Sequence, residues 1–144
     1  QRQMCIRDRT EARIALVAEF ERFVFIATHF CHKSEVNRTA AATRLNEYAA
    51  EHFQTSDKPV YLAGDLNLNR TTSDAFIELL KSWKIITSND YTMSTGNTRI
   101  DYVLVYTGNQ ASCEVLGAAV PTFSEIDVYT VSDHLPVFVD LKKE

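Results

Sequence analysis

The chain has 144 residues, 45% hydrophobic and 24% charged, with a formal net charge of −4. These values match globular averages and exclude a disordered chain, and the length suits one domain with enough sequence to bury a core. The negative balance supplies no broad basic field for nucleic acid, although a local site can be basic on an acidic protein. Cys5, Cys31 and Cys113 are widely spaced with no C-x-x-C, so neither a disulfide framework nor a zinc site is indicated. No apolar run approaches the roughly 20 residues of a membrane-spanning helix, and residues 1–9 lack the apolar centre of a signal peptide. Localisation stays open.

Residues 1–11 show no clear period and read as a ragged extension outside the domain. Residues 13–20 and 23–29 read as two strands joined across Glu21-Arg22, a hairpin pattern. The second is almost wholly apolar, as a strand buried on both faces requires, and it runs out at Thr28-His29-Phe30. Ser34 then stands as a helix N-cap, and Val36, Ala40, Thr43, Leu45, Tyr48, Ala49 and Phe53 follow a 3.6-residue period to residue 53.

Pro59-Val60-Tyr61-Leu62-Ala63 predicts a buried central strand, closed by Gly64. Because side chains alternate along extended backbone, Asp65 and Asn67 share one side while Leu66 turns to the core. A second helix is expected from Ser73 to Trp83, with Phe76, Ile77, Leu79, Leu80 and Trp83 on its inner side. Residues 87–97, rich in Ser, Thr and Asn, read as an exposed loop. Residues 100–106, 112–120 and 136–141 read as three more strands, with a long loop at 121–131. The pattern predicts a mixed, largely antiparallel sheet with helices on one side, an α/β (α+β) class.

Polar residues recur where these strands end: His29, Asp65 with Asn67, Asp101, and Asp133 with His134. Asp65 and Asn67 are equally consistent with turn and cap bonding alone, and a strand-end histidine is usually a satisfied rim residue. Asp101 is harder to explain structurally. It stands in Ile100-Asp101-Tyr102-Val103, where a buried charge is costly unless paired, and a histidine is its natural partner.

Thr28-His29-Phe30, Gly64-Asp65-Leu66-Asn67, Arg99-Ile100-Asp101-Tyr102-Val103 and Ser132-Asp133-His134-Leu135-Pro136-Val137 occur in that order. Together they resemble the C-terminal motif series of the endonuclease/exonuclease/phosphatase superfamily, the DNase I-like fold. The resemblance covers residues 12–142 and corresponds to the second half of that domain. It implies a four-layer sandwich of mostly antiparallel sheets flanked by helices, of which residues 12–144 are the C-terminal half. It also implies hydrolysis of a phosphodiester or phosphomonoester dependent on Mg²⁺, with Mn²⁺ as an alternative.

By the same resemblance, Asp65 orients or deprotonates the attacking water and is a metal-site acid together with Asp133. Asn67 hydrogen-bonds the phosphate, His134 contacts a phosphoryl oxygen, Asp101 orients His134, and His29 assists the leaving group. Such roles suit phosphoryl transfer, which needs positioning and charge compensation more than covalent help. The implied partners are a phosphoester (nucleic acid, phospholipid, or sugar or inositol phosphate) and the N-terminal half of the same domain. That half supplies an asparagine and a metal-ligating glutamate without counterparts here, so a fragment of low activity is expected. Basic residues near the motifs are Arg70, His32, Lys33 and Arg38.

Two other classes remain. A serine hydrolase using Ser132 would lack a G-x-S-x-G elbow and would crowd its residues in sequence. A non-catalytic module would keep the fold and lose the chemistry.

Overall fold

The computed structural model describes residues 2–6, as backbone, and residues 12–142. Strands β1 (Arg2–Ile6), β2 (Arg13–Glu19), β3 (Val24–Thr28), β4 (Val60–Asp65), β5 (Trp83–Ile85) and β6 (Asp101–Tyr106) form one sheet. Its order is β1-β2-β3-β4-β6-β5. Only β3 and β4 run parallel; the other pairs are antiparallel. The parallel step is made possible by helix α1 (Glu35–Phe53), which carries the chain back across the sheet. Helix α2 (Asp74–Leu79) packs beside α1, and strands β7 (Val115–Ala119) and β8 (Phe138–Leu141) form a separate ribbon.

Alternation along the strands sorts the two faces. Val24, Ile26, Val60, Leu62, Tyr102 and Leu104 are buried in one core with Ala42, Leu45, Ala49, Phe76 and Leu79 of the helices. On the other face Phe23, Phe25, Tyr61, Val103 and Val105 meet Val139 and Leu141 of the ribbon. The layers among the described residues are therefore helices, large sheet and ribbon. Between large sheet and ribbon lies a mainly apolar groove of about 980 Å³, with Phe20 and Phe138 half exposed at its rim.

Most of the expected elements are present, including the hairpin, the central strand and the Ser34 cap, whose hydroxyl accepts from the Asn37 amide. Four details differ. Residues 2–6, read as an extension outside the domain, pair with β2 as the edge strand. An edge strand needs no apolar alternation to pair by backbone alone. The second helix stops at Leu79 instead of running to Trp83, because Lys81 and Ser82 bond back to Glu78 and Leu79 in a closing turn. Trp83 then opens β5 opposite Tyr106.

Ile77 and Leu80, expected on the inner side, are 53% and 40% exposed, and Val36, in the first turn of α1, is 78% exposed. A one-turn helix, α3 (Val128–Val131), interrupts the loop expected at 121–131 and buries nothing.

Candidate active site

Gly64 fixes where β4 can end. Its φ is +150°, and a Cβ there would lie 1.8 Å from the Thr28 carbonyl oxygen of β3. Only glycine tolerates both the dihedral and the approach. The chain then turns at Asn67, whose φ of 51° lies in the left-handed region that asparagine enters more readily than most residues. Asp65 Oδ1 accepts the Asn67 amide at 2.8 Å, and Asn67 Nδ2 donates to the Phe30 carbonyl at 3.1 Å. The turn bonding anticipated for this pair is therefore real. It uses one oxygen of Asp65 and leaves the other, Oδ2, facing the remaining site residues.

Asp65 and Asp101 are directly opposed on β4 and β6. Two facing carboxylates repel unless something cationic or donating lies between them. His134 fills that role. Its Nδ1 lies 2.9 Å and 3.1 Å from the two Asp101 oxygens, and its Nε2 lies 3.9 Å from Asp65 Oδ2. His29 Nε2 lies 3.2 Å from the same Asp65 oxygen. Arg13 Nη1 stands 3.3 Å from His29 Nδ1. A guanidinium can only donate, so that nitrogen is the acceptor and the His29 proton sits on Nε2, toward Asp65.

Electrostatics agree with the geometry. Burial by itself would lower the His134 pKa, but the hydrogen bond its ring donates to Asp101 and the fields of Asp101, Asp65 and Asp133 outweigh it. The ring is held above its ordinary value, favouring imidazolium with a donor aimed at the open side. Asp65 and Asp101 side chains are 17% and 18% exposed, and His134 is 34% exposed. The site is sheltered and still reachable.

The structure thus brings together His29, Asp65, Asn67, Asp101 and His134, all anticipated from sequence. Asp133 stands apart, exposed, and acts on His134 through its field. Asp65, Asp101 and His134 offer ligand atoms within 4.8 Å of one another, the one such group among the described residues. Two carboxylates suit a hard divalent ion, but His134 Nδ1 is committed to Asp101, so the set is partial. Of the basic residues noted in the sequence, Arg38 is occupied by Glu35 and the Cys31 and His32 carbonyls. Arg70 lines a polar cleft of about 540 Å³ that opens beside Asn67 and Asn69.

Sequence reasoning missed the residues that set these positions. Arg13 and Thr92 carry no motif, and Thr92 lies in a stretch whose polar composition predicts exposure, yet it is 1% exposed.

A layered mixed α/β fold with acids and histidines gathered at one end of its central strands defines the class. The model of the Endonuclease/Exonuclease/phosphatase family matches residues 3–134, and the chain belongs to that family. No curated protein matches the chain.

Among solved structures, a mannosyl-6-phosphatase from Bacteroides thetaiotaomicron is similar at a TM-score of 0.69 and 21% identity. That alignment covers 94% of this chain and 59% of the other. D. rerio TDP2 complexed with a single-strand DNA product gives 0.71 at 15% identity, covering 99% and 68%. The human Nocturnin catalytic domain with bound sulfate gives 0.69 at 18%, covering 99% and 59%. At such identities the likeness shows the fold. The chain spans 59% of the length of the mannosyl-6-phosphatase and of the Nocturnin domain, and 56–57% of three further structures that it matches.

Proposed function

We propose that the chain carries the phosphoryl-transfer edge of a divalent-metal-dependent phosphoesterase. The observation that carries this reading is His134, clamped through Nδ1 by Asp101 while Nε2 faces Asp65 across 3.9 Å. A charged imidazole with its second nitrogen open is a donor suited to a phosphoryl oxygen. Asp65 Oδ2, already beside the His29 proton, is the base that would take a proton from an attacking water. Asn67, with one amide proton bound to Phe30, has a second for the phosphate.

Asp65 would hold a divalent ion, Mg²⁺ or Mn²⁺, from this side, within the group it forms with Asp101 and His134; Asp133, the second metal-site acid expected from the sequence, lies outside that group. The ion would neutralise charge on the phosphoryl group. His29 would assist the departing oxygen, and the cleft beside Asn67 with Arg70 on its wall would take part of the substrate.

We also propose that residues 12–144 are the C-terminal half of the family domain. The apolar groove between large sheet and ribbon supports this, because exposed apolar surface of that extent asks for a cover. The substrate stays at the level of phosphoester, since the named neighbours act on or hold chemically different molecules.

The test is an assay of the chain joined to its upstream coding sequence, on bis(p-nitrophenyl) phosphate, with and without EDTA. Metal-dependent turnover lost in Asp65→Asn and His134→Ala is expected. Turnover indifferent to EDTA would overturn the metal reading. No turnover, with the fold intact, would favour a non-catalytic module.

A further inference from the structure

Asp101 and His134 meet from different parts of the fold. Asp101 begins β6 in the large sheet, whereas His134, 33 residues later, lies in the connection between the two strands of the separate ribbon. No strand pairing of the large sheet holds His134, so something else must bring the two together. The backbone around His134 is tied to residues 92–94: Leu135 N donates to the Thr92 carbonyl at 2.7 Å, Ser94 N donates to the Asp133 carbonyl at 2.8 Å, and Met93 bridges His134. The other side of the same residue faces Asp101. Thr92 Oγ1 accepts the amide of Ile100 at 3.0 Å and the amide of Asp101 itself at 3.2 Å. Thr92 N closes its own loop on the Thr98 carbonyl at 2.9 Å.

We propose that Thr92 is the positioning residue of the Asp101–His134 pair, its hydroxyl oxygen setting the acid and its carbonyl setting the histidine. The inference rests on the reading of that pair as functional and adds what holds it. One buried residue bonds to both segments, so a shift at Thr92 is passed into the Nδ1-to-carboxylate distance. A hydrogen bond at 2.9 Å loses strength steeply as it stretches or tilts. Thr92 also explains a residue choice in its loop. A buried side chain must offer an oxygen acceptor to two amides at once, which an aliphatic side chain of the same shape cannot do.

The experiment needs no substrate, so it stands or falls apart from the hydrolase reading. In the ¹⁵N-labelled 144-residue chain, the His134 ring N–H bound to Asp101 gives a downfield proton resonance, assigned by its loss in His134→Ala. Thr92→Val should abolish that resonance and speed exchange of the Ile100 and Asp101 amides about tenfold or more. The Leu62 and Leu104 amides in the sheet core should be unaffected. Thr92→Ser, which keeps the oxygen and drops the methyl, should retain both signatures. Persistence of the ring resonance in folded Thr92→Val overturns the proposal. If Thr92→Val does not fold, Thr92→Ser decides: resonance kept supports the oxygen's role, and resonance lost in a folded chain overturns it.

Discussion

Asp65 and Asp101 stand opposite one another on antiparallel strands, and the ring of His134 sits between their carboxylates. Like charges directly opposed cost stability unless the imidazole is charged, so the raised pKa of His134 is a statement about stability as well as chemistry. A group whose folded pKa is raised contributes stability that is full below its ordinary value of 6.5 and is lost as pH rises through the folded value. Asp101→Asn should remove most of that pH-dependent part, leaving the share owed to Asp65 and Asp133; the whole is about 1 kcal/mol or less because the ring is a third exposed. Urea unfolding at pH 5 and pH 9 for both chains checks it. Equal pH dependence in the two would show that Asp101 does not charge His134.

In the complete enzyme the same variant should lose activity most on the alkaline side, where neutral imidazole already dominates. Asp101→Asn should add little to the loss in His134→Ala, because groups that act as a unit are non-additive. A double-mutant cycle on kcat/KM measures this. Additive barrier losses would confine Asp101 to the fold.

Gly64→Ala should be among the most damaging single substitutions outside the acids and histidines. The added methyl meets the Thr28 carbonyl oxygen at 1.8 Å and the dihedral is hostile to any Cβ. Backbone strain alone is about 1–3 kcal/mol, and separating β3 from β4 adds to it. Denaturant unfolding should show a loss of at least that size. A loss below about 0.5 kcal/mol would mean that the strand ends relax easily.

His29→Ala should leave the fold intact, since the ring is half exposed, and reduce turnover of the complete enzyme about 100-fold, the lower end for a proton-transferring group. The loss should be smallest with substrates whose leaving group needs no proton, such as p-nitrophenolate. An equal loss across leaving groups would assign His29 to holding Asp65 instead.

The 144-residue chain by itself should hydrolyse phosphodiesters at or near background. Asp65, with Asp101 engaged by His134, leaves a divalent ion short of protein ligands, and the apolar groove leaves the chain inclined to associate. Strong Mg²⁺-dependent turnover, abolished by Asp133→Ala, would show that this chain holds the whole metal set.

The site residues were legible because each breaks a local rule. Asp101 is a charge in a strand, Asp65 a charge after a buried apolar run, and His29 a polar stop to another. The alternation that buries Val60 and Leu62 against the helices also puts Asp65 on the ribbon side, so side and strand end followed from period alone. The supporting residues break no rule. Thr92 looks like its loop neighbours, and its burial depends on pairings across the fold that composition does not contain. The end of α2 was missed for a related reason: Trp83 fits both a helix stripe and a strand, and only its pairing with Tyr106 decides. Strand β1 was invisible because an edge is recruited through backbone.

The placement of His134 outside the large sheet separates two events in the life of the chain. Every described strand of that sheet is available once Tyr106 has been synthesised, so β4 and β6 can pair before the segment that carries His134 has been made. During that interval two acids face each other with no imidazole between them. The histidine joins late, through the loop at residues 92–94, and by the same logic leaves early when the molecule breathes. Native-state exchange should therefore release the Leu135 amide well before those of Leu62 and Leu104. Mild heat or denaturant should then break the Asp101–His134 contact before the sheet unfolds, and the contact should return without refolding of the sheet.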